Sequence, residues 1–324
     1  MSMTRIEEIW LALQREARSS PLENGVFRLR RTSERTTLDI YAGVDSNHCT
    51  LIAIGLKNRP SQIDLKSSAL QCFRLQRADK SWLQVLRLEQ KGLETVFGRL
   101  CQDLVNEAEE MQSEQALANL FSERLRAWKK LFDLTGGELL SLECIKGLIA
   151  ELVVMNDLIE NSPSEDLRTI AGGWVGPLGH DQDFILPQGC LEVKAVSPNA
   201  SEVQISSLTQ LASDQPLELW IVRLLSATGT PGAWNLNNLS SVIEGKLSED
   251  RIALRTFRDR LIEAGYVEHP GYDSFCFTVT EIKRFQVAAA FPKLTVSNVP
   301  EGVSGATYRL SIEALQPFDS GLEQ

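Results

Sequence analysis

Histidine is scarce in this chain: 324 residues include three, His48, His180 and His269. A histidine-rich metal centre is thereby excluded, and a Ser-His-Asp triad would need one of these three beside a nucleophile. No G-x-S-x-G elbow is present to supply that nucleophile. Also missing are G-x-x-x-x-G-K-[ST] and G-x-G-x-x-G, so nothing supports a P-loop NTPase or a Rossmann dehydrogenase. The cysteines (Cys49, Cys72, Cys101, Cys144, Cys190 and Cys276) are scattered with no close pair. That spacing fits neither a disulfide scaffold nor a zinc ribbon; they read as small buried hydrophobes in a reducing compartment. No apolar run approaches the roughly 20 residues needed to span a bilayer. The opening MSMTRIEEIW lacks the basic-then-apolar layout of a signal peptide, so a soluble cytoplasmic protein with no membrane association is expected. Positive charge is in deficit, 33 basic against 43 acidic residues, net −10. Polyanions are therefore not gripped by bulk charge, although a local basic groove remains open. Any metal must be held mainly by carboxylates and carbonyls, which favours magnesium, manganese or calcium.

What is present is ordinary globular composition, 43% apolar and 23% charged. The length suits two domains or one large core with additions. A helix is expected over residues 3–18. Short β-prone stretches follow at 25–30, 37–44, 49–56, 70–77 and 82–88, separated by turn formers such as Asn24-Gly25 and Arg59-Pro60. Leu93, Val96, Phe97, Leu100 and Leu104 then recur at helical spacing. These elements define a β-rich N-terminal domain at 1–110, with the polar stretch 106–115 as connector.

A basic helix at 117–134 carries Arg124, Arg126, Lys129 and Lys130, a solvated face that could also meet a nucleic-acid backbone. Thr135-Gly136-Gly137 ends it. A second helix at 138–160 has the stripe Leu142, Ile145, Leu148, Ile149, Leu152 and Ile159, with Glu151 on its shoulder, and Asn161-Ser162-Pro163 stops it. Strands are expected at 169–175, 182–187 and 190–196, the last two joined by the hairpin-sized Gln188-Gly189. A short helix at 206–212 leads to the almost wholly apolar run 217–225, a strand buried on both faces. The remainder, after a loop at 226–232, reads as a helix at 249–264 with β-prone stretches at 274–290 and 306–313. The division is 1–110, a core at 111–232, and an α+β extension at 233–324.

One constellation carries chemistry. In the strand Leu191-Glu192-Val193-Lys194-Ala195-Val196, Glu192 and Lys194 share a face about 7 Å apart, opposite Leu191, Val193 and Ala195. Asp183, on the hairpin partner, can bring its carboxylate onto Glu192. Two convergent carboxylates plus a backbone carbonyl, that of Val193, are what a hard divalent cation takes. Lys194 can orient a nucleophilic water or stabilise charge at an attacked phosphate, and Glu151 can complete the site from the helix. By pattern alone, Glu192 and Lys194 read equally well as a solvent-facing ion pair. The E-x-K triplet recurs at Glu89, Glu244 and Glu281, and Asp273 precedes Glu281-Ile282-Lys283 at nearly the same distance. Asp273, however, sits in a turn, whereas Asp183 leads into an apolar strand.

Asp183…Glu192-Val193-Lys194, with a helix glutamate before it, resembles the PD-(D/E)XK restriction-endonuclease-like superfamily. Closer still is the likeness of Leu148-Ile149-Ala150-Glu151-Leu152, Trp174-Val175-Gly176-Pro177, Asp183-Phe184, Leu191-Glu192-Val193-Lys194-Ala195, Ile205-Ser206-Ser207…Gln210-Leu211 and Phe291-Pro292-Lys293-Leu294 to a bacterial PD-(D/E)XK family. It runs from about residue 20 to 318. The resemblance implies an α/β, αβββαβ core and a metal-dependent DNA endonuclease of a restriction-modification or anti-phage system. It implies Mg²⁺ or Mn²⁺ on Asp183 and Glu192, a catalytic Lys194 and an accessory Glu151. Double-stranded DNA is the implied substrate, with methyltransferase and helicase or ATPase partners. Ser206 and Gln210 are candidate substrate contacts, and Gln210 could instead hold the lysine. Gln182 stands where the superfamily pattern has proline, which supplies no ligand. A non-catalytic DNA-binding or assembly subunit on the same fold is the alternative, and the net charge of −10 favours it.

Overall fold

Threonine 4 starts the first helix, α1 (Arg5–Ser19), through a capping box. Its hydroxyl accepts from Glu7 N at 3.2 Å while Glu7 Oε2 accepts from Thr4 N at 2.7 Å. The computed structural model describes residues 3–65, 67–109, 111–135, 139–161, 166–227 and 230–320. They divide into two compact units, Met1–Glu138 with Val267–Pro270, and Leu139–Tyr266 with Gly271–Gln324.

In the first unit, β1 (Phe27–Arg31), β2 (Ile40–Asp45), β3 (Thr50–Leu56), β4 (Leu70–Gln76) and β5 (Trp82–Leu88) form an antiparallel sheet in the order β1-β2-β3-β5-β4. Each lies within a few residues of its expected place, because turn formers bracket every strand. Helix α2 (Glu94–Ala108) packs on α1 through Phe97, whose ring stacks on Trp10 at 5.3 Å. Helix α3 (Glu114–Thr135) buries Leu117, Leu120, Phe121, Leu125 and Trp128 and packs on α2 and β3. That apolar stripe groups α3 with the β-rich unit, whereas the sequence reading put 111–135 with the core. Arg124 does not belong to a solvated face. It is 4% exposed and pairs with Asp103 at 3.5 Å and with Glu107, an internal ion cluster and not a nucleic-acid contact. Arg126 is exposed, and the side chain of Lys130 lies outside the described residues, as do Gly136, Gly137, Ser162 and Pro163.

The second unit is α/β. Helix α4 (Leu142–Asn161) is followed by α5 (Leu167–Gly173), the hairpin β6 (Phe184–Leu186) and β7 (Gly189–Val196), β8 (Glu202–Ile205) and β9 (Leu217–Ser226). Then come α6 (Leu236–Leu247), α7 (Arg251–Glu263), β10 (Phe277–Gln286) and β11 (Tyr308–Ser311). The main sheet runs β10-β9-β7-β6, with β7 parallel to β9 and the other pairs antiparallel. Gly189 opens β7 at φ 151°, where a Cβ would fall 2.5 Å from the Pro216 carbonyl oxygen. Only glycine admits that approach.

Alternation on β7 and β9 gives the sheet two apolar faces. Leu191, Val193, Trp220 and Val222 pack with α4, α6 and α7 residues, while Cys190, Leu219 and Ile221 pack with Val203, Ile205, Phe291, Leu310 and Leu315. Strand β8 pairs with β11, so segments from 233–324 complete the core instead of forming a separate extension.

Several elements differ from expectation, among them β8, a strand at Glu202–Ile205 where none is expected. Residues 167–173 are helical, not a strand: Asp166 caps the segment by accepting from Arg168 N, and Ile170 and Ala171 face the core. Only Trp174 keeps a β-bridge, to Phe184. Residues 206–212 form a turn, not a helix, because Ser207 Oγ accepts from Thr209 N and Gln210 N and competes with helical bonding. Helix α6 was not anticipated. Its apolar spacing, Leu236, Leu239, Ile243 and Leu247 after the Asn235 cap, is obscured by polar Asn and Ser residues.

Candidate active site

The β6–β7 hairpin determines where the acids go. Asp183 sits just ahead of β6; its backbone N–H donates to Leu191 O at 3.1 Å, and its carbonyl accepts from Val175 N and Gly176 N at 2.8 and 3.0 Å. Its side chain turns across the hairpin, where Oδ2 accepts from Val193 N at 2.8 Å. One residue back along β7, Glu192 is 1% exposed, and among the described residues its carboxylate meets no donor other than the Lys194 ammonium. Lys194 Nζ lies 2.6 Å from Glu192 Oε1 in a buried ion pair and donates to Gln210 Oε1 at 3.2 Å.

Glu151 enters from α4, partly buried, and its Oε2 accepts from the indole N–H of Trp174 at 2.7 Å. Gly176 separates this carboxylate from Asp183. A Cβ there would fall 2.8 Å from Asp183 Oδ1 and 3.3 Å from Glu151 Oε2, so both acids border one small space that a side chain would fill. Asp183, Glu192, Lys194 and Glu151 are thus brought together.

The electrostatics follow from burial of like charges. Burial, then the charge of Asp183, pushes the Glu192 carboxyl up to about 8, against the pull of Lys194. Glu151 is held well above the usual carboxylate range by burial and by Asp183, with the Trp174 N–H opposing. Asp183 is raised by burial, with the Val193 N–H and Lys194 opposing. Among the described residues Lys194 is the one donor to this buried carboxylate, and the acids beside it leave negative charge that a divalent cation would suit. Among the described residues, no group of three or more His, Cys, Asp or Glu is close enough to hold a metal ion by itself. The Val193 carbonyl and water would have to supply the remaining ligands.

Gln210 Oε1 is shared between Lys194 Nζ and Ser206 N, so it holds the lysine and does not face outward as a free acceptor. Ser206 is exposed, and so is His180. The rival triplet is a surface arrangement: Glu281 is 44% exposed and pairs with Arg223 at 2.9 Å, while Asp273 accepts from Asn237. Trp174 belongs to the family-like segment Trp174-Val175-Gly176-Pro177. It is core, at 0% exposure, and also the donor to Glu151. Gln182, at the place of the superfamily proline, donates through Nε2 to Thr209 O, a role that its position in the motif did not suggest.

An α/β unit carrying an Asp, a Glu and a Lys on one hairpin, with a helix Glu beside them, has the PD-(D/E)XK nuclease-like architecture. A family model described as "Putative PD-(D/E)XK family member, (DUF4420)" matches residues 6–313, and the chain belongs to that family. No curated protein and no solved structure matches the chain. Among the described residues, no helix is long and apolar enough to cross a membrane.

Proposed function

We propose that the protein is a metal-dependent deoxyribonuclease, the nuclease subunit of a bacterial restriction-modification or anti-phage system. The observation that carries this reading is the buried Glu192 carboxylate, set beside Asp183 and, among the described residues, met by no donor other than the Lys194 ammonium. Asp183, Glu192 and the Val193 carbonyl would hold Mg²⁺ or Mn²⁺. When bound, the ion would lower the pKa of water and neutralise charge on a phosphodiester.

The chain's own groups do the rest. Lys194, fixed between Glu192 and Gln210, presents an ammonium to a phosphate oxygen or to the attacking water, and offsets negative charge as it builds at phosphorus. Glu151, anchored by Trp174, accepts a hydrogen bond from that water. Val193 N–H keeps Asp183 turned toward Glu192.

Net charge −10 and the acids at the site oppose DNA until a cation is present, so a partner subunit such as a helicase, ATPase or methyltransferase would deliver duplex DNA. The test is purified chain with plasmid DNA and Mg²⁺ or Mn²⁺, with and without its neighbouring gene products. Metal-dependent nicking or linearisation that is lost in Lys194→Ala supports the reading. Tight DNA binding with no cutting under any of these conditions would leave a non-catalytic DNA-binding subunit.

A further inference from the structure

Gln182 occupies the position that the superfamily pattern gives to proline, and it does work that proline cannot. Its side chain is buried, 8% exposed. Nε2 donates to Thr209 O and Ala212 O, each at 3.0 Å, and lies 3.4 Å from Gln210 O. The neighbouring Asp181 Oδ1 accepts from Thr209 Oγ1. The residues just ahead of Asp183 therefore clasp the 206–212 turn.

That turn needs clasping. It belongs to no helix or sheet, and its own bonds are local ones, Ala212 N to Thr209 O at 3.0 Å and the Ser207 side-chain bonds. The Gln182 amide adds donors from outside the turn to these part-buried carbonyls. What the turn carries is Gln210, whose Oε1 accepts from Lys194 Nζ and, at 2.8 Å, from Ser206 N. Lys194 is a point charge on a flexible four-carbon stem. Glu192 alone can pull it inward; the second acceptor keeps it extended between the two.

We propose that Gln182 is a positioning residue for Lys194, acting through the 206–212 turn and the side-chain oxygen Oε1 of Gln210. The catalytic consequence rests on the nuclease reading, whereas the contact itself does not. One lead-in segment thereby locates both Asp183 and the partner of Lys194, so the acid and the ammonium keep a common register.

The test uses the full chain and four variants. Gln182→Met keeps volume and removes the donor, and Gln182→Pro restores the superfamily letter. Gln210→Leu removes the acceptor, and Gln210→Glu keeps it. With Mn²⁺, kcat should fall by about 10- to 100-fold in Gln182→Met, Gln182→Pro and Gln210→Leu, the range found when a group orienting a site residue is lost. KM and Mn²⁺ affinity should not change, and Gln210→Glu should retain more kcat than Gln210→Leu. Amide exchange read by mass spectrometry supplies the arm that needs no activity. The 206–212 amides should exchange faster in Gln182→Met, and Ser206 faster in Gln210→Leu than in Gln210→Glu. Wild-type kcat in Gln182→Met, or a parallel loss of KM and metal affinity, overturns the proposal. If no condition yields cleavage, unchanged exchange overturns it, and faster exchange upholds the positioning contact while the nuclease reading fails.

Discussion

The indole N–H of Trp174 donates to Glu151 Oε2 at 2.7 Å, which ties the helix acid to the bridge that Trp174 makes with Phe184 at the start of β6. Trp174 also packs against Phe257, ring centroids 5.9 Å apart, so the donor is held by the core. Trp174→Phe keeps much of that packing and removes the donor. Stability should fall by about 1–3 kcal/mol, the cost of orphaning a buried acceptor, together with metal affinity. Urea unfolding and Mn²⁺ calorimetry measure the two. Unchanged values in both would show that the hydrogen bond contributes nothing.

Gly176 should tolerate no side chain. In Gly176→Ala the new methyl meets Asp183 Oδ1 at 2.8 Å and Glu151 Oε2 at 3.3 Å, so one of the acids must move. Mn²⁺ affinity should drop by about tenfold or more, as it does when ligand orientation is disturbed. Circular dichroism should show the fold retained. Affinity equal to wild type would place the metal away from these two carboxylates.

The metal-free protein should be more stable at pH 6 than at pH 8. Glu192 is an acid whose folded pKa, about 8, lies above its unfolded value, and Glu151 and Asp183 are raised as well. The folded state then keeps protons that the unfolded state has released. Stability is fully present below the unfolded carboxylate pKa and is lost as pH rises through the folded one. The window therefore runs from the ordinary carboxylate range up to about 8 for Glu192. Thermal melts in EDTA should show Tm falling across it, and Glu192→Gln should flatten the slope and raise Tm at pH 8. A wild-type slope in Glu192→Gln would mean that Glu192 is ionised throughout.

Asp183→Asn and Lys194→Ala should abolish cleavage, whereas Glu281→Ala and Lys283→Ala should stay within a few-fold of wild type. Asparagine is the cleaner change at 183, because its carbonyl can still accept from Val193 N, which alanine would leave unsatisfied. Glu281 is exposed and paired with Arg223, so its removal touches no buried group. A plasmid assay silenced by Glu281→Ala but not by Glu192→Ala would put the site on β10.

Much of this protein is written locally. The N-terminal strands are bracketed by turn residues, β9 is a largely apolar run interrupted by Glu218 and Arg223, and period-two alternation puts Glu192 and Lys194 on one face and Val193 on the other. The family motif singles out Asp183, Glu192, Lys194 and Glu151 by type and order. Tertiary structure decided what depends on partners distant in sequence. Periodicity could not tell that Glu192 is buried, because that follows from Leu219 beside it in β9 and from the layer closing that sheet face. Nor could it tell that α3 packs with the N-terminal unit, that Asp166 turns a β-branched segment into α5, or that Arg124 is internal. Gln182 shows the limit best. Its three carbonyl partners lie 27 to 30 residues away, and hydrogen bonding at that separation leaves no mark on local pattern.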